Sequence, residues 1–366
     1  MLILLIVTGT LSRMGIYAQD KTPEFTRLVD SVLSLEFHSY ELFENTFLPY
    51  SENEFLLQEL IEKSEKAKLP AGISFGYNQL GNLNSRRSDY HTALENYSEA
   101  LNVATQENLD VLRLRSLNMM GSTSLRIDSI KNALDYHTEV INSQIGKSDG
   151  NKEVSREMGK AYYGLGNISK TLGHWDLAME NYNQSLTVFK KLNDLQGLGY
   201  SYQKIGEVYE AKNNLEEALS YYQKSNQINE VLGSERLSTI NRIGIAHVWV
   251  HQGRSEEARM SLEPILNRID ILQDPELHAQ VLIQYGWILS NLERYEAAET
   301  YLNEGLEIAK RYEITEYTYD ANRWLHNLFE AKGDYKESMH YLKASASFSC
   351  MSQDRPNHKL PILTQR

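Results

Sequence analysis

The stretch YQKIGEVYEAKNNLEEALSYYQKSNQI, residues 202–228, decides the fold of this chain. Apolar side chains recur at helical spacing on both sides of a short polar break at residues 212–214. The sequence therefore predicts two helices joined by a tight turn. Gly206 in the first helix and Ala218 in the second are small enough to let the two helices approach closely where they cross.

The same unit recurs along the chain with a nearly constant period. A small residue is followed twelve residues later by another small residue, and four residues further on by an aromatic residue, a histidine or a leucine. The copies are Gly81-Ala93-Tyr97, Gly121-Ala133-His137, Gly166-Ala178-Tyr182, Gly206-Ala218-Tyr222, Ala246-Ala258-Leu262, Gly286-Ala298-Leu302 and the degenerate His326-Ser338-Leu342. Their first members lie 40 residues apart, except for one interval of 45 that includes a polar segment at residues 146–150. Such self-similarity indicates a stacked array of about seven helical hairpins.

The small residues have a steric purpose. Glycine inside a helix costs about 1 kcal/mol relative to alanine, so it persists where close packing requires it. We expect the third member of each copy to fill the wedge between its own hairpin and the next one. Gly173, Asn213, Gly253 and Gly333 lie in the breaks, and we expect them in the left-handed conformation that ends many helices.

These residues resemble the tetratricopeptide repeat family over about residues 70–345. The resemblance is carried by the pairs Leu80-Gly81, Leu165-Gly166, Ile205-Gly206 and Tyr285-Gly286, and by the residues after the turn, Tyr90, Trp175, Leu215 and Tyr295. It implies an all-α fold, a right-handed alpha-solenoid of helical hairpins. The period of 40 residues departs from the family standard of about 34. The resemblance to this family also implies a non-enzymatic role in binding a protein or peptide.

The N-terminal segment, residues 1–19, is predicted to be a secretory signal peptide. An apolar run from Leu2 to Val7 precedes a small-residue cleavage site at Ala18 and Gln19. No Lys or Arg precedes Arg13, so an uncleaved anchor and a buried N-terminal helix stay open as alternatives. Cleavage would place the mature chain in the periplasm or outside the cell.

Three further segments complete the predicted organisation. Residues 20–69 carry apolar stripes at helical spacing and are predicted to form a divergent hairpin that caps the array. Residues 70–346 form the array itself. Residues 347–366 are polar and aperiodic, which predicts a disordered tail.

The resemblance also implies where a ligand would bind. In this family the concave face is lined by the first helix of each repeat, three residues before and one residue after the small glycine. Carried onto this chain, the peptide-binding groove is predicted to include Asn78, Asn82, Asn118, Ser122, Tyr163, Asn167, Gln203, Glu207, His247, Trp287, Arg323 and Asn327. Ile243 and Ile283 occupy the remaining two positions. Amides suit an extended peptide backbone, and Trp287 suits an aromatic anchor.

Other chemistry is disfavoured. The formal net charge of −12 argues against nucleic acid as a partner, because phosphate binding needs a basic surface. A single cysteine, Cys350, excludes an intramolecular disulfide. His247 and His251 are four residues apart but lack the glutamate of a zinc-hydrolase motif. The carboxylate pairs at residues 216–217 and 256–257 begin second helices, where they favour the helix dipole. No catalytic residue, cofactor or metal site is therefore predicted.

Two roles fit these features. The first is an exported scaffold that binds a protein or peptide. The second is the extracytoplasmic input region of a signal-transduction protein, since a signal segment followed by long repeats resembles Bacteroidetes-type sensor histidine kinases, transcription regulators and nucleotide cyclases. A third class, an enzyme built on the array, has no motif in its favour.

Overall fold

The computed structural model describes residues 23, 25–34, 40–143, 151–268 and 274–353. Within these ranges the chain contains helices and no β-strand, which confirms the predicted all-α class. The predicted signal peptide lies outside the described residues, as do the last residues of the predicted tail. In the same part of the chain, no helix combines the length and the apolar character needed to cross a membrane.

The chain divides into two compact units, which meet in sequence at Ile168 and Ser169. Unit 1 contains α1 (25–33), α2 (Tyr40–Phe47), a 3-10 turn (Leu48–Tyr50), α3 (Glu54–Lys66), α4 (Pro70–Arg86), α5 (Tyr90–Gln106), α6 (Asp110–Arg126), α7 (Ile130–Asn142) and the first part of α8 (Lys152–Thr171). In the region of the predicted cap, Phe25, Phe43 and Phe47 pack with Phe75 of α4.

In the described part of unit 2, the end of α8 is followed by nine further helices. They are α9 (Trp175–Leu192), α10 (Leu195–Ala211), α11 (Leu215–Leu232), α12 (Glu235–His251), α13 (Ser255–Leu266), α14 (Pro275–Asn291), α15 (Tyr295–Arg311), α16 (Thr315–Ala331) and α17 (Tyr335–Gln353). α17 reaches Gln353, so the beginning of the predicted disordered tail at residue 347 is helical.

The turns explain the repeat length. Within each unit, residues with positive φ recur twenty positions apart, with one interval of forty between Gly253 and Glu293. They are Lys68, Ser88, Asn108 and Asp128 in unit 1, and Gly173, Asn193, Asn213, Gly233, Gly253, Glu293, Glu313 and Gly333 in unit 2. Most helices of the array have 17 residues, as α4, α10 and α14 do. A helix plus its turn therefore takes half of the 40-residue period. The left-handed conformation predicted for the glycines and the asparagine in the breaks is confirmed.

The small residues pack as the sequence predicts. Ala218 is fully buried, and a Cβ added at Gly206 would lie 2.8 Å from the ring of Tyr222. The same Tyr222 ring would meet a Cβ at Gly244, on the first helix of the next hairpin, at 2.4 Å. Tyr222 therefore fills the wedge between two hairpins, and the glycines provide the space that its ring needs.

The first helices lie on the inner side of each stack. Consecutive first helices touch one another directly: α4 with α6 in unit 1, and α10 with α12, α12 with α14, and α14 with α16 in unit 2. Within the described residues, consecutive second helices make no contact of comparable extent. We call the accessible surface of α10, α12, α14 and α16, with the end of α8, the inner face of unit 2.

Candidate functional site

The predicted groove residues fall into two groups. Those three positions before the small residue are largely buried: Asn78 and Asn118 on unit 1 and Gln203 on unit 2 are each about 98% covered. The side-chain amide of Asn78 donates to the Ser116 hydroxyl at 3.0 Å. Asn78 and Asn118 join neighbouring helices, whereas the Gln203 amide donates to Glu207 of its own helix. All three side chains are closed to a ligand, which corrects their assignment to the groove.

Ile243 and Ile283 at the same position are buried as well. Tyr163 is half-buried, and Arg323 is the exposed member of the group. The physical reason is the angle around the helix, because this position faces the next first helix instead of the inner surface.

The position one residue after the small residue is more open. Asn82, Asn167, Glu207 and His247 are half-buried, and Ser122 and Asn327 are exposed. Trp287 is the exception, since only 8% of its surface is exposed. This row of side chains marks the accessible inner surface better than the full predicted set.

On unit 1, Asn82 and Ser122 border a shallow depression of about 230 Å³ together with Arg86 and Arg126. The hydroxyl of Tyr97 donates to the Asn82 carbonyl oxygen at 2.8 Å. Arg86 is already paired with Glu52 at 3.0 Å. Polar groups that border the depression are thus engaged in contacts inside the unit.

A buried carboxylate organises the inner side of unit 1. Glu157 on α8 is 1% exposed, and its carboxylate accepts from Lys160 at 2.7 Å and from the Asn118 amide at 2.9 Å. Arg115 lies 3.9 Å away. Burial alone would raise the pKa of Glu157, but Lys160 and Arg115 hold it below its usual value.

His137 adjoins this carboxylate through an amide. Its Nδ1 lies 3.1 Å from the Asn118 carbonyl oxygen, so Nδ1 carries the proton. Among the described residues, its Nε2 has no hydrogen-bond partner, and it faces Gly121 and Gly164, where added Cβ atoms would lie 2.7 and 2.2 Å away. Burial lowers the pKa of His137 to about 4, so the ring is neutral at pH 7.

On unit 2, one carboxylate is shared by two lysines. Glu207 on α10 pairs with Lys170 of α8 at 2.8 Å and with Lys204 of its own helix at 2.9 Å. Burial alone would raise the pKa of Glu207, but the two ammonium groups hold it well below its usual value. The group carries a net positive charge, because two cations face one anion.

His247 on α12 lies between two acceptors. Its Nδ1 is 3.1 Å from a Glu210 carboxylate oxygen, and its Nε2 is 2.7 Å from the Gln284 carbonyl oxygen. The other oxygen of Glu210 accepts from the Tyr222 hydroxyl at 2.7 Å. Burial alone would lower the pKa of His247, but its bonds to Glu210 and Gln284 raise it overall.

Beside His247, aromatic rings continue the inner face. The ring of His247 meets Trp287 edge-on at 5.0 Å, and Trp287 stacks on Trp324 of α16 at 5.1 Å. The guanidinium of Arg323 lies over the Trp324 ring at 4.3 Å, and 45% of its side chain is exposed. Trp287 is therefore the buried member of this stack, and Trp324 and Arg323 are its more exposed members.

The charged groups of α16 complete the face. Asp320 pairs with Arg323 at 3.3 Å. Burial, against the lowering effect of Arg323 and with a contribution from Glu316, raises the pKa of Asp320 to about 6. Glu316 also acts on Lys170 of α8 and helps to raise the pKa of Lys170. Opposite charges on α8 and α16 thus act on each other within unit 2.

Sequence reasoning missed several members of this face: Lys170, Glu210, Gln284, Asp320 and Trp324. A signal for some of them exists in the sequence. The pairs Lys170–Glu207, Glu210–His247 and His247–Gln284 are each separated by 37 residues. That spacing equals one 40-residue repeat minus about one helical turn. Residues separated in this way therefore lie side by side on successive first helices.

Comparison with known proteins supports the repeat architecture. Two family models, both described as tetratricopeptide repeat, match residues 157–230 and 279–312. The chain therefore contains tetratricopeptide repeats in these segments. A curated relative, protein NCA1 of Arabidopsis thaliana, is 29% identical over 112 residues, which are 29% of this chain and 28% of that protein. The match thus spans little more than a quarter of the relative's length.

Solved structures extend the likeness to most of the chain. A Rap protein complexed with competence and sporulation factor aligns with a TM-score of 0.67 at 11% identity, over 92% of this chain and 94% of that one. The Rap conjugation gene regulator of plasmid pLS20, in complex with the Phr* peptide, aligns with a TM-score of 0.64 at 16% identity, over 80% and 77%. At these identities the likeness shows the fold, and it confirms the predicted alpha-solenoid of tetratricopeptide-like hairpins.

Proposed function

We propose that this chain is a non-enzymatic scaffold whose unit 2 binds a peptide segment along its inner face. The observation that carries the proposal is the open stack of Arg323 on Trp324, flanked by half-exposed polar groups on successive first helices. Arginine and tryptophan are enriched among the residues that contribute most to binding. A stack of this kind offers a flat apolar surface and a cation in one place.

The polar groups of the face suit an extended ligand. Glu207 lies on α10, His247 on α12 and Arg323 on α16, so side chains of different charge follow one another along the stack. An extended peptide presents alternating side chains and backbone amides, which such a row can contact in turn. The face holds both signs of charge, which favours a ligand of mixed charge over a polyanion.

Two structural neighbours hold peptide-like ligands, namely competence and sporulation factor in one and the Phr* peptide in the other. Their complexes are a precedent for ligand binding on this fold. They support the proposal for this chain without identifying its ligand.

A non-enzymatic role is favoured by the pairing within the face. The carboxylates of Glu207 and Glu210 are engaged by lysines, a tyrosine and a histidine, and both ring nitrogens of His247 are in hydrogen bonds. Such saturated groups suit recognition and positioning of helices. Export of the chain and its alternative role as the input region of a sensor protein stay predictions, because they depend on segments outside the described residues.

The test begins with a ligand obtained without prior assumption. Phage-displayed random 12-residue peptides are selected on the purified chain, and the enriched peptide is measured by fluorescence anisotropy. Arg323→Ala should weaken its binding about tenfold, the loss expected from a side chain that contributes about 1.4 kcal/mol.

The matched control is Arg311→Ala, which removes an exposed arginine from the second helix α15. It should leave the affinity within about twofold of the parent. Equal affinities for the parent and the Arg323→Ala variant would reject the inner face of unit 2 as the binding site.

A further inference from the structure

A continuous hydrogen-bonded chain joins three successive hairpins on the inner side of unit 2. It starts at the Tyr222 hydroxyl of α11, passes through the Glu210 carboxylate of α10 and the His247 ring of α12, and ends at the Gln284 amide of α14. The three distances are 2.7, 3.1 and 2.7 Å. Polar groups therefore tie the first helices α10, α12 and α14 together at this level.

The surroundings of the His247 ring suit a protonated imidazole. A carboxylate oxygen faces Nδ1 and an amide oxygen faces Nε2, and a ring that carries both protons can donate to both acceptors. A neutral ring keeps both bonds only if the Gln284 amide turns around. Even then the Glu210 carboxylate, whose side chain is 16% exposed, loses the positive charge opposite it.

The surroundings of His247 favour the proton. Besides Glu210 and Gln284, Asp320 of α16 acts to raise the pKa of His247. Trp287 of α14 places an aromatic ring beside His247. The ring of His251, which lies on α12 like His247, is centred 6.1 Å from the Trp287 ring. Within the wedge, Tyr222 donates to Glu210, and Glu210 together with burial raises the pKa of that phenol.

We propose that Tyr222, Glu210, His247 and Gln284 form a proton-controlled clasp. With His247 protonated, the clasp holds α10, α12 and α14 at the spacing seen here, and loss of the proton loosens the inner face and weakens peptide binding there. The inference rests on the proposed function, because it concerns the regulation of the same face.

The direction with pH follows from linkage. The pKa of His247 is raised above its ordinary value of about 6.5. The clasp is therefore complete below about pH 6.5, and it is lost as the pH rises through the raised pKa. A change of one unit in pKa corresponds to a tenfold change in the equilibrium between the two states.

The first experiment needs no ligand. Amide hydrogen exchange of α10, α12 and α14 is followed from pH 6 to pH 9 and corrected for the intrinsic exchange rate. The parent should lose protection as the pH rises, whereas His247→Gln should show a flat profile. His251→Gln is the matched control on the same helix and should follow the parent. Asp320 is retained in both variants, and His251→Gln also keeps the His247 ring that acts on the pKa of Asp320, so the titration of Asp320 is matched between the parent and this control.

Two further variants move the transition in opposite directions. Gln284→Glu adds a second carboxylate beside the ring and should raise the midpoint by about one pH unit. Glu210→Gln removes the existing carboxylate and should lower the midpoint by a similar amount. Both midpoints are read from the His247 ring-proton signal in NMR. A parent profile that is flat, or that His247→Gln does not change, would overturn the clasp.

The selected peptide then separates the clasp from the proposed function. Its affinity for the parent should fall across the same pH range, and the affinity for His247→Gln should not. Binding that is independent of pH would overturn the clasp and leave the proposed function standing. An intact exchange transition with no peptide bound at any pH would reject the proposed function and the regulatory link with it.

Discussion

The two units each contain a histidine near a glutamate, yet the pKa values of the two histidines shift in opposite directions. In unit 1 the Asn118 amide lies between His137 and Glu157, and burial lowers the pKa of His137 to about 4. In unit 2, Glu210 contacts His247 directly, and the pKa of His247 is raised. The pKa shifts differ because the Asn118 amide oxygen accepts a hydrogen bond from His137 without supplying a negative charge, whereas the Glu210 carboxylate supplies one to His247.

The comparison also concerns what each histidine does. His137 occupies the wedge position of its hairpin, the place that Tyr97 and Tyr222 take in theirs, and its Nε2 faces glycines. His247 lies on the inner side and joins first helices. A buried ring in a wedge supports packing, whereas a partly exposed ring between two acceptors supports a pH-dependent contact.

The largest expected effect is the loss of stability when a carboxylate that neutralises buried cations is removed. Glu157→Ala should cost about 3–5 kcal/mol in the local free energy of unfolding, because it leaves Lys160 without the buried carboxylate it pairs with at 2.7 Å. Glu207→Ala should cost clearly less, since the Glu207 side chain is 25% exposed against 2% for Glu157. Hydrogen exchange of each unit measures both values, and equal losses would contradict the difference in burial.

The next effect is acid sensitivity in unit 1. Because the pKa of His137 falls from about 6.5 in the unfolded chain to about 4 in the fold, its contribution to stability is complete above pH 6.5 and is lost as the pH falls towards 4. The loss should reach about 2 kcal/mol at pH 5 and about 3 kcal/mol at pH 4. Exchange protection of α6 and α7 at pH 7.5 and pH 5 measures it.

His137→Tyr is the matched variant, since it places at this position the side chain found at Tyr97 and Tyr222. It should reduce the acid loss in α6 and α7. An undiminished loss in this variant would show that another group is responsible.

A smaller loss of stability is expected from a substitution at Gly164, the glycine that faces the His137 ring. Gly164→Ala places a methyl group 2.2 Å from His137 Nε2. The resulting strain should cost about 1–3 kcal/mol, partly offset by the better helix propensity of alanine, about 1 kcal/mol. A double-mutant cycle with His137→Ala checks the cause, because the cost at Gly164 should shrink by about half or more without the ring. An unchanged cost would place the strain elsewhere.

The smallest effect is expected outside both histidine sites. The pair Lys212–Asp176 lies on the surface of unit 2, and 94% of the Asp176 side chain is exposed. Asp176→Ala should change the free energy of unfolding by at most about 1 kcal/mol, and high salt should remove the difference. A larger effect would mean that exposed charges also stabilise the stack, which would weaken the contrast drawn from buried groups.

Much of the fold could be predicted from the sequence because volume and turn chemistry are local properties. Gly206 and Ala218 fix the helix crossing, and Gly173 and Gly333 fix turns with positive φ. The positive φ angles at Ser88 and Glu293 were not predicted, because these residue types seldom adopt positive φ and do so here only within the repeat geometry.

The candidate site was predicted less well because it depends on the angle around each helix and on neighbours in other repeats. Asn78 and Asn118 lie on first helices as expected, but they face the next helix. Glu207 and His247 do lie on the accessible side. The partners Glu210 and Gln284 required the spacing of 37 residues, which only the packing of successive hairpins makes meaningful.

The most direct test of the account maps the footprint of the selected peptide by hydrogen exchange on the full chain. The account predicts protection on the first helices α10, α12 and α16, centred on the segments around His247 and Arg323. It predicts little change on the second helices α11, α13 and α15. Protection confined to those second helices would contradict the claim that the inner face of unit 2 binds the ligand.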